Sequence, residues 1–104
     1  MSAGWHKVAN AADIPAAGAL QVSVGDELIA VYNLDGKFYA INDICTHQQA
    51  NLSDGFIDGE NIECPLHQAL FNIPTGKVLR EPAVVDLKTY SVKKHEDGYI
   101  YIEL

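Results

Sequence analysis

A chain of 104 residues has the size of one ordinary domain, enough to bury a core but not two. With 48% hydrophobic and 20% charged residues it is composed like a globular protein, which excludes a disordered chain. Fourteen acidic side chains against seven Lys and Arg give a formal charge of -7, which excludes a nucleic-acid surface because phosphate would be repelled. Such acidity suits docking on basic patches of partners, and equally suits simple solubility.

The amino terminus, Met1-Ser2-Ala3-Gly4-Trp5-His6-Lys7, lacks the basic start and apolar run of a signal peptide. Trp5 to Val8 reads as a short strand, and Asn10 before Ala11-Ala12-Asp13-Ile14-Pro15 reads as one capped helical turn stopped by proline. Leu20 to Val24 alternates, Gly25-Asp26 breaks the pattern, and Leu28 to Tyr32 is a continuous apolar run suited to a central strand. That run is far too short to cross a bilayer, so no membrane association and a cytoplasmic location are expected. Asp35-Gly36 supplies a tight hairpin turn into Lys37 to Ile41.

Between Asn42 and Lys77 the character changes. Gly55, Gly59, Pro65, Pro74 and Gly76 interrupt short apolar runs, as expected of a loop-rich segment organised by a bound centre. Ile62-Glu63-Cys64 and Leu70 to Ile73 read as short strands inside it. Strand signals resume at Val78-Leu79, Arg80 to Ala83 forms a bend, and Tyr90 to Lys93 leads through Asp97-Gly98 into Tyr99 to Ile102 as a closing hairpin. The expected fold is all-β and antiparallel, a base of residues 1–43 and 78–104 carrying a subdomain of residues 44–77.

The chemistry concentrates in Cys45-Thr46-His47 and Cys64-Pro65-Leu66-His67, two loops separated by sixteen residues that each offer one thiol and one imidazole. They hold the only two cysteines of the chain, so neither is left for a disulfide. Four such side chains could bind one tetrahedral zinc. Zinc knuckles more often pair Cys with Cys and His with His, whereas each loop here mixes them, which suits a 2Fe-2S cluster with two His in place of two Cys on one iron. The pattern C-x-H, spacer, C-x-x-H, followed by Phe71 and Thr75-Gly76, resembles the Rieske iron-sulfur family.

That resemblance implies a Rieske fold, with antiparallel sheets in a sandwich-like base and a small cluster-binding subdomain. It implies one 2Fe-2S cluster, with Cys45 and Cys64 on the inner iron and His47 and His67 on the outer one. Gln48, Pro65, Leu66 and Pro82 become candidates for a docking rim, Pro82 as part of a proline loop over the cluster. High-potential members add a cysteine pair, a Ser and a Tyr around the loops. Here Leu66, Ala69 and Phe71 stand in those places, which implies a potential toward the low end of roughly -150 to +300 mV. Gln68 departs from the glycine often found after the second His. His6 and His95 lie outside the pattern and read as surface residues.

A free-standing unit of this kind resembles the ferredoxin component of bacterial aromatic-ring-hydroxylating systems. It implies a monomeric one-electron carrier and not an enzyme, placed between an NADH-oxidising flavoprotein reductase and a terminal Rieske non-haem iron oxygenase. Two other readings stand beside it, a Rieske-like small subunit of a nitrite-reductase-type complex and a zinc-stabilised interaction domain.

Overall fold

The computed structural model describes residues 4–45, 50–65, 68–81 and 85–104. Chain order gives β1 (Trp5–Asn10), β2 (Gly18–Val24), β3 (Glu27–Leu34), β4 (Lys37–Asn42), β5 (Phe56–Asp58), β6 (Asn61–Glu63), β7 (Leu70–Asn72), β8 (Val78–Arg80), β9 (Thr89–Lys94) and β10 (Tyr99–Glu103). Six strands form a base sheet in the order β1-β10-β9-β4-β3-β2, and four form a small sheet in the order β5-β6-β7-β8. Every pairing is antiparallel, as the sequence pattern implies. Among the described residues no helix is long and apolar enough to cross a membrane.

Within the base, β4 meets β9 through only two residue pairs, Ala40 with Tyr90 and Ile41 with Thr89. This narrow seam lets the two halves of the sheet face each other. Val22, Val24, Ile29, Val31 and Ala40 from one half then pack with Tyr90, Ile100 and Ile102 from the other. On the opposite face of β3, Ala30 and Tyr32 join Ile62 and Phe71 of the small sheet, and Ile73 just after β7, in a second core. Successive side chains on a strand alternate faces, so a strand between two cores must be apolar throughout. That is why Ile29 to Tyr32, all fully buried, does not alternate, whereas Leu28 at the start of the run is exposed.

Turn chemistry follows the sequence at one hairpin and departs from it at the other. Asp35 and Gly36 both take positive φ, 59° and 90°, the mirror-image two-residue turn that matches strand twist. At the closing hairpin β9 ends at Lys94, and a four-residue connection intervenes in which the Gly98 N–H donates to the His95 carbonyl at 2.9 Å. Asp97 instead accepts the Tyr99 N–H with its side chain at 2.9 Å. Asn10 caps its turn as expected, accepting the Ala12 N–H at 2.9 Å. β5 has no counterpart in the sequence reading, because three residues between Gly55 and Gly59 show no periodicity. The small sheet also runs past Lys77, since β8 pairs with β7.

Two side chains at the exit of β4 brace the base and tie it to the turn at Ser53 that precedes the small sheet. Asp43, fully buried, accepts from Gln21 Nε2 at 2.6 Å, from the Ser53 N–H at 2.6 Å and from Ser53 Oγ at 2.8 Å. Its backbone is held as well, donating to the Leu28 carbonyl at 2.9 Å and accepting the Leu52 N–H at 2.7 Å. Asn42 accepts the Ile44 N–H at 3.0 Å and donates to the Tyr90 hydroxyl at 3.2 Å, which in turn donates to Glu27 at 2.6 Å. The Tyr90 phenol is pushed up to about 12 by burial and by its bond to Glu27. The same bond, with Lys88 beside it, holds the Glu27 carboxyl below its ordinary value.

Two outcomes are expected. Asp43→Ala removes a buried acceptor from donors on two elements and should cost about 2 to 3 kcal/mol in urea unfolding, and a cost below about 1 kcal/mol would show that the neck does not rely on it. Because the folded-state value of Tyr90 is raised from 10.0 to about 12, its contribution is fully present below pH 10 and is lost as pH rises through 12. The urea midpoint should therefore fall over that window, and Tyr90→Phe should flatten the fall.

Candidate metal centre

Both cysteines occupy equivalent positions in loops of the same construction. The Cys45 N–H donates to the Ala50 carbonyl at 2.9 Å, and the Cys64 N–H donates to the Ala69 carbonyl at 2.7 Å. Each bond closes a six-residue loop from a cysteine to an alanine. The Ile44–Asn51 bridge supports the first loop, and the β6–β7 hairpin supports the second. Cys45 is 3% exposed and Cys64 1%, neither is in a disulfide, and both belong to the core that contains Ala50, Leu52, Ala69 and Phe71.

Backbone contact holds the loops against each other. A side chain at Gly55 would collide with the Glu63 carbonyl, one residue before Cys64, so the strand returning from the first loop lies directly on the one entering the second. Beyond the second loop, Asn72 accepts from the Thr75 N–H at 3.1 Å and Thr75 Oγ1 at 2.8 Å, building the turn expected at Thr75-Gly76. Gly76 takes φ 74° and accepts the Leu87 N–H at 2.7 Å, with no room for a Cβ beside the Leu87 carbonyl.

His47 and His67 lie outside the described residues, as do Gln48, Leu66 and Pro82. The expected site is therefore seen through its two cysteines, with Pro65 exposed beside the second. Gln68 is also seen, and its φ of 59° explains the preference for glycine there. A left-handed backbone costs an L-residue about 1–2 kcal/mol, and only surrounding contacts sustain it. Arg80 provides one, donating from Nη1 to the Gln68 carbonyl at 3.0 Å. Ala69 and Phe71 are fully buried in the same core as the cysteines and bring no hydroxyl to it.

Three residues of this region carry no signal in the sequence. Asp43 looks like any strand-end aspartate, Arg80 like a surface cation, and Tyr32 like a strand tyrosine. Tyr32 is fully buried in the cysteine-bearing core, and its hydroxyl has no hydrogen-bond partner among the described residues. Burial, and secondly the charge of Asp43, raise its ionisation far above the ordinary phenol range, so it stands there as a neutral O–H.

The donor chemistry fits a Rieske cluster. Two thiols buried in one apolar core, in a chain with no third cysteine, can supply two sulfur ligands, and the remaining two must be nitrogen or oxygen. His47 and His67 share the two loops by sequence.

Comparison with known proteins points the same way. The family model for the Rieske [2Fe-2S] domain matches residues 4–91. The chain is 45% identical over 93 residues, 89% of each protein, to the ferredoxin component of the naphthalene 1,2-dioxygenase/salicylate 5-hydroxylase systems of Ralstonia sp. It is 46% identical over 94 residues, 89% of this chain and 87% of the relative, to the 3-phenylpropionate/cinnamic acid dioxygenase ferredoxin subunit of Escherichia coli (strain K12). Among solved structures, a chain in the complex of reduced oxygenase and oxidised ferredoxin of carbazole 1,9a-dioxygenase superposes with a TM-score of 0.90 at 39% identity, covering 98% of this chain and 94% of that one. With the family model spanning most of its length and relatives this similar along nearly all of theirs, the chain belongs to the Rieske [2Fe-2S] family.

Proposed function

We propose that this protein is the ferredoxin component of an aromatic-ring-hydroxylating dioxygenase system, a low-potential one-electron carrier in the cytoplasm. It takes electrons from an NADH-dependent flavoprotein reductase and delivers them to a terminal Rieske non-haem iron oxygenase, acting as a monomer. The observation that carries this reading is the pair of buried cysteines at the base of two like-closed loops, in a chain whose relatives of matching length are ferredoxin components.

In this reading Cys45 and Cys64 hold one iron and His47 and His67 the other, with residues 44–77 as the cluster-binding subdomain on the base. Bound there, the cluster supplies a one-electron couple in which neutral imidazoles favour ferrous iron more than anionic thiolates do. The protein's share is to keep the thiolate side dry and the imidazole side near the surface. The burial of both cysteines supports the first part, and exposed Pro65 between Cys64 and His67 supports the second. The absence of hydroxyls at Ala69 and Phe71 supports a low potential, because fewer donors to sulfur leave the more negative reduced state less stabilised.

Two measurements test this. The purified protein should contain two iron and two sulfide per chain and show a Rieske visible spectrum that His67→Ala and Cys64→Ser abolish. A colourless, iron-free protein would instead favour the zinc-stabilised domain. Ala69→Ser or Phe71→Tyr should raise the midpoint potential in voltammetry, and no rise in either variant would count against this account of tuning.

A further inference from the structure

The position of Arg80 depends on an irregularity in the small sheet. Phe71 pairs with Val78, yet Leu70 pairs with Arg80, so Leu79 is an extra residue and β8 bulges there. Without the bulge Leu79 would stand opposite Leu70. The bulge instead brings Arg80 into a cross-sheet row with Phe56, Glu63 and Leu70, which are paired in register. Residues paired in this way share a face of the sheet. From that row the guanidinium reaches both sides of the second cysteine loop, lying 3.6 Å from Glu63 Oε1, just before Cys64, and donating to the Gln68 carbonyl at 3.0 Å, just after His67.

We propose that Arg80 is the positioning residue of the second ligand loop, compensating for the left-handed backbone at Gln68 by binding its carbonyl and tying that end of the loop to the Glu63 side chain at the other. The inference rests on the reading of Cys64 and His67 as ligands. The partially exposed ion pair with Glu63 is the weaker contact, and the charge-assisted bond to a backbone carbonyl is the stronger. A glycine at position 68 would adopt the same φ without strain and would need no such clamp. Arg80 and Gln68 should therefore be coupled, although they are twelve residues apart.

The test compares holoproteins of wild type, Arg80→Ala, Gln68→Gly and the double variant. Cluster loss is followed by visible absorbance in excess chelator, and the midpoint potential by voltammetry. Arg80→Ala should lose its cluster about fivefold faster than wild type. Its potential should also fall, because the loop's donors and a neighbouring cation are no longer fixed. Adding Gln68→Gly should bring the loss rate back to within about twofold of wild type. Wild-type loss rates in Arg80→Ala, an unmoved potential, or a double variant no better than Arg80→Ala would each overturn the proposal. Failure of the ligand assignment looks different: His67→Ala would then keep the spectrum of the wild type.

Discussion

The carboxylate of Asp43 is buried where two cores meet, and the chain on either side of it leads to different parts of the molecule. Its three side-chain hydrogen bonds tie β2 and the turn at Ser53 to the end of β4. Two residues later the chain reaches Cys45. A buried acceptor with three donors is costly to disturb, because any shift leaves polar groups unpaired in an apolar setting. The first cysteine loop is thereby attached to the base at one rigid point. The network from Asn42 through Tyr90 to Glu27 braces the same point from β9 and β3.

The second loop is held by different means. Its cysteine follows β6 directly, and backbone contact at Gly55 sets β6 against the chain returning from the first loop. Its far side carries the unfavourable backbone of Gln68 and depends on Arg80, a residue from the neighbouring edge strand. One loop is anchored by a buried acid and the other by an exposed base. Each loop carries one Cys and one His, so both halves of the pattern are held from each kind of anchor.

Among the described residues, the core that holds the cysteines is apolar. Ala50, Ala69, Phe71, Leu52 and Ile62 line the core they share, and the buried hydroxyl of Tyr32 has no hydrogen-bond partner among the described residues. An apolar lining penalises added negative charge, and this supports the low potential proposed above. The fold supplies that lining by packing one face of the small sheet on the face of β3 opposite the base core.

The sequence by itself determined the strand class, the central place of Leu28 to Tyr32, the Asp35-Gly36 turn and the four candidate ligands. Each rests on local chemistry: alternation, positive φ at a turn, and the spacing of thiol and imidazole within a loop. The departure from the family pattern at Gln68 marks a special place as well, since that residue, in a glycine position, has a left-handed backbone. What only the tertiary structure decided is how the loops are held. The three bonds of Asp43, the close approach at Gly55 and the bulge that delivers Arg80 join residues that are not neighbours in the chain, and the burial of the Tyr32 hydroxyl comes from the same packing. No periodicity or spacing encodes such contacts, because they exist only once two sheets have packed and their register is set.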